Sequence, residues 1–121
     1  MVARKRKKPD RLNQPFVGIP SFLRTQICTD LDKLDADIAV FGIPHDEGSP
    51  FLAGSRLGPR AIREHSLRFG SPGSIYDPET KNQYLAEELD QGLIVDAGDV
   101  DVWPTEVRTT FKNATNMTRQ I

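Results

Sequence analysis

Asp37–Phe69, DIAVFGIPHDEGSPFLAGSRLGPRAIREHSLRF, is the stretch on which this 121-residue chain turns. Ile38, Ala39, Val40 and Phe41 are apolar in succession, and Gly42 ends the run. Apolar residues without alternation suit a strand covered on both faces, as in a parallel sheet. A loop rich in Gly, Pro and Ser follows, carrying His45, Asp46, Glu47 and Ser49. Gly58-Pro59 then opens a helix, with Pro59 expected at the first helical position, where a proline loses no hydrogen bond. Ala61, Ile62 and Phe69 fall on one side at helical spacing. His65 lies near that side, so a hydrogen-bonded core histidine is expected. Glu64 and Arg68 form an i,i+4 pair in the better orientation, about 0.3 kcal/mol if exposed. Gly70 and Pro72 stop the helix. A buried strand that delivers a polar loop and then a helix is the entry to an α/β sheet, where ligands gather at the strands' carboxyl ends.

Working outward, Arg4–Lys8 is a basic run without apolar periodicity, which predicts a solvated, disordered tail over 1–13. Pro15 and Pro20 exclude a helix from Gln14–Phe22. An extended arm over 14–36 is expected, carrying Phe16, Val17, Ile19 and Phe22. It packs either on its own domain or on a neighbouring subunit. Arg24–Asp35 reads as a loop with one helical turn. On the other side, Ile75–Tyr84 has a turn at Asp77-Pro78-Glu79-Thr80 and suits a small hairpin. Leu85–Asp90 suits one helical turn. Leu93–Ala97 is a second buried strand, followed by Gly98, Asp99, Val100 and Asp101. Thr105 is the expected cap of a last helix, whose Val107, Phe111, Ala114 and Met117 recur at three and four. Two strands of a parallel sheet cannot bury their own faces. The expectation is therefore that residues 37–121 are the N-terminal part of a larger α/β domain.

Composition narrows the function classes. The chain is 37% hydrophobic and 27% charged, ordinary for a soluble protein, and nothing approaches a membrane span. Six Lys/Arg and one acid fall in Met1–Arg11, while the remaining residues carry ten bases and sixteen acids. An acidic body argues against nucleic acid as the main partner. No apolar segment follows the basic start, so a secretory signal is not expected. Cys28 is the single cysteine, which fits a reducing cytosol.

Three groups of residues bear on chemistry. His45, Asp46, Glu47 and Ser49 follow a strand's carboxyl end; they either line a substrate mouth or form a solvated loop. Arg56, Arg60 and Arg63 offer forked donors beside an acidic body, for structural ion pairs or for substrate contact. Asp96, Asp99 and Asp101 form a carboxylate cluster, but no histidine stands beside them, so no metal ligand is assigned.

These residues resemble a known family. Gly42-Ile43-Pro44 at the strand end, Gly54-Ser55-Arg56 in the loop and Gly58-Pro59-Arg60-Ala61-Ile62-Arg63 at the helix start are similar to the first strand-loop-helix of the ureohydrolases, the arginase/agmatinase superfamily. Asp96-Ala97-Gly98-Asp99-Val100 resembles the family's D-x-G-D-V. Phe16–Phe22 resembles the arm of its agmatinase-like branch. Ala53 departs from the pattern, which usually has proline there.

The resemblance implies the first strands and helices of a three-layer αβα parallel-sheet fold. It implies a hydrolase that attacks the guanidino carbon of an agmatine-like compound and releases urea. Guanidine and guanidinobutyrate are the alternative substrates. It further implies two manganese ions, or nickel, since paired metals generate a neutral-pH nucleophile. The family's metal-binding strings, G-G-D-H-S, D-A-H-x-D and S-x-D-x-D, do not occur in this sequence. No metal and no activity are therefore expected of this chain alone. A cytoplasmic homo-oligomer, trimer or hexamer, is the implied assembly, without membrane or nucleic acid. The rival expectation is a non-catalytic subunit that binds a full-length homologue.

Overall fold

The computed structural model describes residues 14–71 and 73–121. The basic run and Pro72 lie outside them, so the expected tail and half of the expected helix stop do too. The architecture is α/β. β2 (Ile38–Gly42) and the short β1 (Gln26–Ile27) both pair in parallel with β5 (Ile94–Asp99), giving a three-stranded sheet of order β1-β5-β2. β5 is central, which explains why Ile94, Val95, Asp96 and Ala97 are all buried. The strand expected at Leu93–Ala97 begins one residue later and runs on to Asp99.

β1 is an element that the sequence does not announce. Gln26 and Ile27 are both exposed and form no apolar pattern. What makes them a strand is a partner distant in sequence: the Cys28 amide donates to the Asp96 carbonyl at 2.9 Å. The β2–β5 register slips near the carboxyl end, where Val40 faces Asp96 but Gly42 faces Asp99. The extra residue on β5 falls at Ala97–Gly98, and Gly98 has φ +81. That left-handed conformation is the one a bulge needs and a side chain resists.

The arm divides into two halves. Its second half docks through hydrogen bonds and through the buried side chain of Leu23. The Phe22 amide donates to Asp96 Oδ2 at 2.8 Å, and the Leu23 amide to Ser66 Oγ at 2.8 Å. Ser21, Leu23 and Thr25 are buried. These bonds hold Leu23 and Arg24 at φ +52 and +56, a strained region for residues with side chains. The first half is bare, with Phe16 85% and Ile19 72% exposed.

Helix α1 (Gly58–Ser66) continues as a 3-10 turn, Leu67–Phe69. Pro59 is the second helical residue rather than the first; its missing N–H is still one that would have no helical partner. The expected apolar side is not the buried one. Ile62 is 59% and Phe69 45% exposed, and His65 is exposed rather than a core histidine. Arg63 and Ser66, three apart on the same face, turn inward instead. With that face fixed on Asp96 and the arm, His65 is rotated away by helical geometry.

The hairpin forms from β3 (Tyr76–Asp77) and β4 (Asn82–Gln83), with Asp77 accepting from the Glu79 amide at 3.0 Å and the Thr80 hydroxyl at 2.6 Å. Those two donors hold the Asp77 carboxyl below its ordinary pKa, the hydroxyl most strongly. Helix α2 (Ala86–Gln91) ends at Gly92, whose φ of +66 lets its amide close on the Glu88 carbonyl. Helix α3 (Val107–Gln120) starts two residues past Thr105. Glu106 precedes it without a side-chain capping bond, so Thr105 is not the cap. Thr110, fully buried, does the local tying: its hydroxyl accepts from the Trp103 amide at 2.9 Å.

Candidate functional site

The carboxyl ends of β2 and β5 lie side by side, and the 43–57 loop leaves from the first of them. Two guanidinium–carboxylate clamps fix this region. The first belongs to the loop. Asp46 Oδ2 accepts from the Gly54 amide at 2.7 Å and the Arg56 amide at 3.2 Å. Asp46 Oδ1 takes Arg56 Nε at 2.7 Å and Nη2 at 2.6 Å. A carboxylate that accepts both backbone and forked side-chain donors ties the loop's outgoing and returning limbs together. Its side chain is wholly shielded from solvent. The Arg56 hydrogen bond, against some cost of burial and helped by the amides, lowers the Asp46 pKa to about 2. Asp46 raises that of Arg56 in return.

The second clamp spans three elements. Arg63 Nε and Nη2 grip Asp96 at 2.7 and 3.0 Å, Nη1 grips Asp99 at 2.7 Å, and Nη2 also donates to the Gly98 carbonyl at 2.8 Å. Asp96 in addition accepts from the Phe22 and Gly98 amides. One carboxylate thereby joins the arm, α1 and the bulge of β5. Burial pushes the Asp96 pKa up, but Arg63 and the two amides outweigh it and the net shift is downward. Arg63 is raised, chiefly by Asp96. The packing leaves no spare room: a Cβ on Gly42 would sit 2.6 Å from Pro59 Cβ and closer still to Asp99 Oδ1. Gly42 and Pro59 thus belong to the same junction.

His45 and Glu47 face one another. Nδ1 and Oε2 approach to 2.5 Å, at an angle outside hydrogen-bond geometry, and neither atom has another partner. The His45 ring stands edge-on to Phe111 of α3, centroids 5.2 Å apart. Ser49 is exposed, and its amide donates to the Asp46 carbonyl at 3.1 Å. Pro44 is half-buried at the loop's start. Beyond the clamp the loop tip is apolar and open, with Phe51 88% and Leu52 74% exposed. A cleft of about 460 Å³ opens near the end of β5, walled by Ile19, Pro20 and Ile27 and by Arg60, Glu64 and Asp99.

The four residues expected at a mouth are therefore not four free groups. Asp46 is consumed in holding the loop, His45 Nδ1 and Glu47 Oε2 face each other without a hydrogen bond, and Ser49 lies outward. Among the described residues no group of three or more His, Cys, Asp and Glu side chains could hold a metal ion. Asp96 and Asp99 are committed to Arg63, and Asp101 is exposed, with its carbonyl taking Asn113 Nδ2 at 3.0 Å. These residues do not fit a two-metal centre. Ser66 is the organising residue that sequence reasoning missed; Asp96 was singled out as a carboxylate, but not its part in joining the arm, α1 and β5. A D-x-G-D string and Arg63 in the Gly58–Arg63 helix start were the available signal, but not their pairing.

An α/β protein with parallel strands and a clamped polar loop at their carboxyl ends is the class these features define. Comparison with known proteins sharpens it. The family model described as Arginase family matches residues 36–121. The chain is 35% identical over 94 residues to the human "Guanidino acid hydrolase, mitochondrial", covering 78% of this chain and 24% of that one. It is 30% identical over 99 residues to "Proclavaminate amidinohydrolase" of Streptomyces clavuligerus, covering 82% and 28%. It is 36% identical over 86 residues to "Agmatinase, mitochondrial" of Gallus gallus, covering 71% and 22%. The chain belongs to the arginase family. It spans about a quarter of the length of these relatives.

Proposed function

We propose that this chain supplies the entry strand, clamped loop and rim of a metal-dependent ureohydrolase acting on a guanidino compound, agmatine or a near relative such as guanidinobutyrate or guanidine. The observation that carries the reading is the pair of arginine clamps at the carboxyl ends of β2 and β5, within the span matched by the family. Their chemical part is positional. Arg56 and Asp46 hold the loop at one height above the strand ends. Arg63, Asp96 and Asp99 lock α1 and the bulge beneath it. Preorganised walls of this kind spare the ordering entropy that substrate binding would otherwise meet. Two manganese ions, or nickel, belong to the proposed whole enzyme. The described residues do not supply their ligands, so no step is drawn through them.

The proposed setting is cytoplasmic, in a homo-oligomer such as a trimer or hexamer, away from membranes and nucleic acid. Among the described residues no helix is long and apolar enough to cross a membrane. The test is urea release by the complete gene product, with manganese or nickel, from agmatine, guanidinobutyrate and guanidine. Release from one of the three is expected, and none from the 121-residue chain alone. A gene product inert toward all three would refute the reading.

One observation favours a second reading, a non-catalytic subunit that binds a full-length homologue. It is the bare front half of the arm, Phe16, Val17 and Ile19, beside a docked rear half. Co-elution of the 121-residue chain with a full-length relative, abolished by Phe16→Ser with Ile19→Ser, is its expected result. Independent elution removes it.

A further inference from the structure

We draw no further inference here: the strongest candidate, the outer edge of β2, unpaired among the described residues, with the apolar cleft of about 370 Å³ between that strand and α1, carries nothing, because nothing in the structure shows what covers it.

Discussion

Arg63 ties helix α1 to the end of β5. Its guanidinium makes four donor contacts to three residues on one strand end, and it is largely buried with Asp96. Removing one partner of a buried ion pair strands the other charge, at about 3–5 kcal/mol. Arg63→Ala should cost that much in chemical denaturation, and Arg63→Lys should recover only part, since an ammonium cannot serve the fork. Equal stability of Arg63→Lys and wild type would contradict the clamp. The pH dependence follows from the carboxylates. Asp46 and Asp96 both have folded pKa values below the unfolded value of 3.8. Their contribution is thus complete above that pH and is lost as pH falls through the folded values, about 2 for Asp46. Acid titration of stability should show Asp46→Asn and Asp96→Asn flattening this limb. Gly42→Ala tests the tight junction: with Pro59 and Asp99 already in contact range, about 1–3 kcal/mol of overpacking is expected. A neutral result would mean the junction yields.

The elements show where sequence reading works and where it stops. The place of β2 was legible from four apolar residues in a row, but the expected cover on both faces is not found: Ile38 is 40% exposed and the rest of the strand only half-buried, because β2 lies at the edge of the described sheet. The hairpin was legible from Asp77-Pro78-Glu79-Thr80, and the start of α1 from Gly58-Pro59. β1 was not, because its two exposed residues become a strand only through β5, far along the chain. The burial of α1 was misjudged for a related reason. Helical spacing identifies an apolar stripe, but a polar clamp formed across 33 residues decides which side faces inward. The start of α3 failed on a local rule, since Thr105 was the better cap on paper. Thr110 instead satisfies the backbone, from inside the helix, where no capping pattern would seek it. Thr110→Val should leave the Trp103 amide without its acceptor and cost about 1–3 kcal/mol. Exposed Trp103 gives the readout, as a shift of its fluorescence in the folded state together with the lower midpoint. Unchanged fluorescence and stability would show that this contact does not hold α3's approach.

At the scale of the whole chain, arginine–carboxylate pairing was legible as a kind of contact, but not which carboxylate each arginine takes. His45, Asp46, Glu47 and Ser49 lie in the loop that leaves β2. What they do there depended on partners that spacing cannot supply: Asp46 turns inward onto Arg56, and Asp96 gathers the arm, α1 and the bulge. The chain covers about a quarter of its relatives' length, and much apolar surface is open, Ile62, Phe69, Phe51 and Leu52 included. The central claim is that these carboxylates are structural, each spent on an arginine, and that the proposed metal centre is not built from them. Calorimetric titration of the folded 121-residue chain with manganese and nickel tests it most directly. The account predicts no stoichiometric uptake of either ion, whereas tight binding of two ions per chain, lost on Asp96→Asn with Asp99→Asn, would contradict it.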